Sequence, residues 1–280
     1  MTVESPLVST EWLAGRINAP DVRVADASWY LPQANRDPRA EFAAAHIPRA
    51  VFFDIDELSD EKNPLPHMLA PAAKFASRMR KLGLGDGNMI VVYDSAGVYS
   101  SPRAWWMLRA MGHSDVVVLD GGLPKWRSEG RPLEDMSASP FARHFTARKD
   151  HALVKDLVQV RENLLTDSYQ VVDARGMARF KAIEPEPRVG IRGGHIPGSH
   201  NVPYTELTTA AGTLKSPDEL RKVFNSHGVD PLRPTITTCG SGITAAIELL
   251  ALNVAGGRDV ALYDGSWAEW GASDAPVETN

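Results

Sequence analysis

Thr235-Ile236-Thr237-Thr238-Cys239-Gly240-Ser241-Gly242-Ile243-Thr244-Ala245-Ala246 passes from a β-branched run through a glycine-bearing turn into an apolar stretch that continues to about Ala255. Four residues of that kind read as a buried strand, and the apolar stretch reads as a helix. A strand, a tight turn and a helix in this order make the repeating unit of a parallel α/β sheet, where ligands bind beyond the carboxyl ends of strands. Cys239, the only cysteine among 280 residues, falls at such an end. There the positive end of the helix dipole and the turn's N–H groups would favour an anionic sulfur. The same context also fits a buried structural cysteine, and from the local sequence both readings stand open. A single cysteine excludes an intrachain disulfide and a Cys-rich zinc site.

Working outward, the same alternation fills the chain. Val22 to Asp26, Met89 to Tyr93 and Val116 to Leu119 read as strands in the first half, and Val171 to Asp173, Thr235 to Thr238 and Val260 to Tyr263 in the second. Pro71 to Leu82 and Pro102 to Met111 are helical windows. Ser216-Pro217-Asp218-Glu219 reads as an N-cap, a first-turn proline and a capping-box glutamate before Leu220 to Ser226. The halves also repeat each other. His46-Ile47-Pro48 returns as His195-Ile196-Pro197, and Asp120-Gly121 followed by Trp126 returns as Asp264-Gly265 followed by Trp270. The expectation is two copies of one α/β domain, residues 1–140 and 150–280, each a mainly parallel sheet flanked by helices. The join falls near Arg131 to Asp150, where Pro132 and the Ser137 to Pro140 stretch break the pattern.

A net charge of −5 with scattered Lys and Arg argues against a nucleic-acid partner. No run is long and apolar enough to span a membrane and no basic, apolar leader opens the chain, so a soluble cytoplasmic protein is expected. Gly83, Gly85 and Gly87 follow a helix and precede a strand, the reverse of a dinucleotide fingerprint, and read as a helix stop and turn. A cysteine phosphatase needs an arginine six positions after its nucleophile, where this chain has Ala245. The histidines show no metal-ligand spacing, and His46 and His195, recurring with the repeat, read as structural hydrogen-bonders.

The duplicated domain, His195-Ile196-Pro197-Gly198, the Tyr263 to Trp270 segment and Cys239 to Ala245 together resemble the tandem-rhodanese sulfurtransferase family over essentially the whole chain. Aligning Gly97 with Gly242 puts Asp94 opposite Cys239, and an aspartate cannot carry sulfane sulfur. The resemblance therefore implies a catalytically silent first domain and a catalytic second one. Thiosulfate-preferring members carry basic residues directly after the cysteine. Here Gly240 and Ser241 are uncharged, which points to the branch that takes sulfur from 3-mercaptopyruvate.

What that branch implies is a two-step transfer through a Cys239 persulfide, cradled by the backbone from Gly240 through Ser241, Gly242 and Ile243 to Thr244, with pyruvate released. An α-keto carboxylate calls for forked cations, and Arg179 and Arg188 match the family's substrate-binding arginines. Spacing alone favours reading the two as surface ion pairs with Glu184 or Glu186, a preference that the resemblance reverses, whereas Arg192 lies outside the motif and reads as surface. The family's serine, histidine and aspartate relay maps onto Ser241, His67 and Asp56; taken singly, Asp56 and His67 read as loop and capping residues. A small-molecule sulfur donor and a thiol acceptor such as thioredoxin or a small thiol are the implied partners, with cyanide also possible, and no cofactor or metal is called for. Two other readings remain: a thiosulfate sulfurtransferase, and a non-catalytic binding module on the same fold.

Overall fold

Among the described residues, ten short strands form two parallel sheets flanked by helices. In the computed structural model, which describes residues 5–135 and 141–280, β1 (Leu7–Val8), β2 (Val22–Asp26), β3 (Val51–Phe52), β4 (Met89–Tyr93) and β5 (Val116–Leu119) form the first sheet. β6 (Val154–Lys155), β7 (Gln170–Asp173), β8 (His200–Asn201), β9 (Thr235–Thr238) and β10 (Val260–Tyr263) form the second. The spatial orders are β1-β5-β4-β2-β3 and β6-β10-β9-β7-β8, so one topology occurs twice. Every pairing is parallel, with Val171 opposite Ile236 and Leu262 opposite Thr237 in the second sheet. Strands covered on both faces must be apolar throughout. β5 and β10 are buried at every position, and β9 buries its threonines with Ile236.

The crossovers are helical: α1 (Thr10–Arg16), α2 (Pro38–Ala44), α3 (Ala72–Lys81), α4 (Ser101–Ala110) and α5 (Gly122–Ser128), then α6 (Leu157–Thr166), α7 (Met177–Phe180), α8 (Pro217–Ser226), α9 (Ala245–Ala255) and α10 (Ser266–Trp270). The capping box expected at Ser216 is present: Glu219 Oε2 accepts from the Ser216 amide at 3.0 Å and from its hydroxyl at 2.5 Å. Gly83 follows the end of α3 with φ +66°, the left-handed stop expected of it. α9 begins at Ala245, since Ile243 and Thr244 belong to the turn. The two-residue edge strands β1, β3, β6 and β8 were not expected. Two residues carry no periodicity to read.

One compact unit comprises Met1–Glu61, Leu69–Asp150 and Thr209–Leu214; the other comprises Lys62–Met68, His151–Thr208 and Lys215–Asn280. The interrupted stretch Ser137 to Pro140 lies outside the described residues, while 141–150 carries neither helix nor strand. Each unit closes on the same device. His46 and Glu134 exchange backbone hydrogen bonds, as do His195 and Glu278. Both imidazoles are buried and stacked on a phenylalanine, at 4.0 Å on Phe42 and 3.7 Å on Phe180, with Nδ1 against that residue's carbonyl. Among the described residues no helix is long and apolar enough to cross a membrane.

Candidate active site

β9 delivers Cys239 to the carboxyl edge of the second sheet, where it is 2% exposed. The loop after it is tied down by backbone bonds: the Trp267 amide donates to the Cys239 carbonyl at 2.8 Å, and the Ala268 amide to that of Gly240 at 3.0 Å. Gly242, at φ +81°, turns its own N–H back onto Cys239 Sγ at 3.1 Å. A side chain at that φ is strained, which explains the glycine. Ser241 is buried in the same loop.

The first unit reveals what such a loop holds. Asp94, 145 positions before Cys239, is buried, and its carboxylate is saturated by the loop that follows it. Oδ2 accepts from the amides of Tyr99, Ser100 and Ser101 at 2.9, 3.0 and 2.9 Å and from the Ser101 hydroxyl at 2.6 Å, while Oδ1 accepts from the Ala96 amide at 2.9 Å. This is an anion cradle with its anion built in.

Arg179, on α7, stands against the Cys239 loop: a Cβ added to Gly240 would lie 3.1 Å from Arg179 Nη2. Arg179 Nη2 also donates to Glu186 Oε2 at 2.5 Å, so the ion pair foreseen from spacing exists. It is not a surface pair, because the Glu186 side chain is only 3% exposed. On its other side Glu186 accepts from Arg175 Nη1 at 2.8 Å, and Arg175 is itself clamped to Asp173, packed over the Trp267 ring and bonded to the Gly194 carbonyl. Burial opposes the charge on Arg175, but Asp173 and Glu186 outweigh it and raise its pKa. Arg188 is half-buried and has no carboxylate partner among the described residues. Arg192, read as surface, is exposed, and it also acts as a structural clamp. Its Nη2 donates to the carbonyls of Ser273 and Ala275 at 2.7 and 2.8 Å, and its Nε to Gly271 at 3.1 Å, which ties down the chain after α10.

The three residues expected to form a relay divide between the units. Ser241 and half-buried His67, at φ +60°, belong to the second. Asp56 is exposed in the first, where Trp29 Nε1 donates to its Oδ2 at 3.1 Å and Asp54 Oδ1 caps its amide at 3.0 Å. Sequence reasoning missed Arg175, Glu186 as a bridging carboxylate, and Glu248. The last, on α9, is completely buried, with both carboxyl oxygens unpartnered among the described residues. Burial pushes its pKa well up, helped by Asp173 and Cys239. An isolated glutamate in an apolar helix was the available signal.

A cysteine at a strand end in one unit thus answers to an amide-held aspartate at the matching strand end of the other. The rhodanese-like domain family matches residues 9–129 and 156–273. The chain belongs to the rhodanese family. This rhodanese is 46% identical over 270 residues to the 3-mercaptopyruvate sulfurtransferase of Homo sapiens, covering 94% of this chain and 91% of the relative. It is 44% identical over 280 residues to the thiosulfate sulfurtransferase of Cricetulus griseus, covering 98% and 94%. The crystal structure of SseA from Escherichia coli, described as a 3-mercaptopyruvate sulfotransferase with the rhodanese fold, superposes with a TM-score of 0.86 at 41% identity, covering 94% of this chain and 99% of that one.

Proposed function

We propose that this rhodanese is a 3-mercaptopyruvate sulfurtransferase that works through a Cys239 persulfide. The observation that carries the reading is Asp94. Its Cβ–Cγ–Oδ2 arm has as many atoms as the Cβ–Sγ–Sδ arm of a cysteine persulfide, and its terminal oxygen is held by three amides and a hydroxyl. Carried over by 145 positions, those amides are Thr244, Ala245 and Ala246, with Ser241 answering to Ala96. The cradle expected over Gly240 to Thr244 is therefore read as extending into the first turn of α9, whose positive dipole end favours the terminal sulfur's charge.

The chemistry balances without a cofactor. The Cys239 thiolate attacks the sulfur of 3-mercaptopyruvate and forms an S–S bond. The C–S bond breaks, its electron pair leaves as the pyruvate enolate, and a proton converts the enolate to pyruvate. Arg179, fixed by Glu186, and Arg188, with no carboxylate partner, are read as the forked cations for the substrate carboxylate. Ser241, His67 and Asp56 are read as the hydroxyl, imidazole and carboxylate that manage the proton near the ketone. A thiol, from thioredoxin or a small molecule, then takes the outer sulfur. The lone unbridged cysteine suits the cytoplasm.

Initial rates test the donor: pyruvate from 3-mercaptopyruvate with a reducing thiol, beside thiocyanate from thiosulfate and cyanide. A mercaptopyruvate preference that vanishes in Cys239→Ser supports the reading. A thiosulfate preference, or activity surviving the substitution, overturns it.

A further inference from the structure

The first unit contains a cavity of about 450 Å³, lined by Arg36, Glu41, Ala44, Ser95, Leu123 and Arg127 among others. All belong to that unit, and Ser95 and Leu123 lie directly beyond β4 and β5, at the carboxyl edge where α/β sheets take ligands. The duplication identifies the place. Ser95 stands 145 positions before Gly240 and Leu123 stands 144 before Trp267, while Glu41 precedes the histidine-stacked Phe42 as Arg179 precedes Phe180. The cavity is the first unit's version of the ground in front of the Cys239 loop.

Its chemistry differs in two respects. The loop amides are consumed by Asp94, so nothing there can carry sulfur covalently. The charge has also been rearranged. Glu41 is neutralised by a two-point contact with Arg36, at 2.7 and 2.6 Å, and accepts the Tyr30 hydroxyl at 2.7 Å. Arg127 is held less tightly: its bond is to the Ala45 carbonyl at 3.3 Å, and it shares Glu41 with Arg36 only at longer range, so two guanidiniums line the cavity beside one carboxylate. An excess of guanidinium over carboxylate in the lining, beside an apolar wall of Ala44 and Leu123, suits a small organic acid better than a bare inorganic ion or a neutral molecule.

We propose that the catalytically silent unit retains a reversible binding site for a small organic carboxylate, held by Arg127 against that wall. It does not depend on which donor the Cys239 site uses. Pyruvate is the probe, titrated into the full chain while backbone amide resonances are followed by NMR. The expected result is saturable movement of the Ser95 and Leu123 amides, weakened about tenfold by Arg127→Ala, the worth of one charge-assisted contact. Turnover of 3-mercaptopyruvate by that variant should stay within about twofold of the parent, since Arg127 is exposed and outside the sulfur-transfer site. Movement confined to the Cys239 loop overturns the proposal. So does first-unit movement that is equal in Arg127→Ala, or that chloride or the uncharged pyruvamide reproduces at the same concentration.

Discussion

Arg179 and Arg175 share a single carboxylate: Glu186 takes Arg179 on Oε2 at 2.5 Å and Arg175 on Oε1 at 2.8 Å. Arg175 is 1% and Glu186 3% exposed, so removing the carboxylate leaves the buried Arg175 with Asp173 as its one remaining ion-pair partner and its Nη1 without an acceptor. Glu186→Ala is expected to cost on the order of 3 kcal/mol in denaturant unfolding. It should also raise KM for 3-mercaptopyruvate about tenfold with a smaller effect on kcat, because Arg179 loses its anchor while Cys239 is untouched. Glu186→Gln should restore part of both. A kcat loss with unchanged KM would contradict a positioning role.

Asp94 accepts five hydrogen bonds from its own loop. Asp94→Ala leaves the buried Ser100 and Ser101 donors unanswered, at a cost of about 3 kcal/mol. Sulfur transfer at 25 °C should persist in whatever fraction stays folded. Equal stability in urea for parent and variant would show the cradle to be ornamental.

How far the sequence could be read follows from what each residue needs around it. Central strands such as Met89–Tyr93 and Thr235–Thr238 were legible because a strand buried on both faces must be β-branched or apolar throughout, and the repeat located the Cys239 loop twice over. Arg192 lies at the surface as read, but its clamping role was not legible because its partners are backbone carbonyls, beyond the reach of any charge pattern. Glu186 was seen as a possible ion-pair partner, but burial decides whether such a pair is idle or fixed, and sequence spacing does not report burial. The stretches Lys62–Met68 and Thr209–Leu214 group away from their sequence neighbours for the same reason: local periodicity says nothing about distant contacts.

Asp26 makes stability depend on pH. Burial raises its pKa to about 6, with hydrogen bonds from Ser28 only partly offsetting that and Asp94 adding to it. A folded pKa above the unfolded one means the stabilising contribution is complete below pH ~4 and is lost as pH rises through about 6. At neutral pH the ionised group costs up to about 3 kcal/mol. Asp26→Asn, which can still accept the Ser28 amide, should raise Tm at pH 7 and converge with the parent below pH 4. The same Tm gain at both pH values would contradict this.

Gly242→Ala places a Cβ at φ +81° in the residue whose amide donates to Sγ. The strain is about 1–2 kcal/mol. It should appear as a kcat loss of about tenfold or more with little change in KM, since relief of strain rotates the donor away from the sulfur. Unchanged kcat would detach this amide from the reaction.

The central claim is tested most directly by intact-mass measurement of the chain after brief exposure to 3-mercaptopyruvate with no thiol acceptor present. A gain of one sulfur atom is predicted, localised by peptide mapping to Cys239, discharged by an added thiol and absent in Cys239→Ser. Pyruvate released in step with turnover while the protein mass stays unchanged would contradict a persulfide carrier.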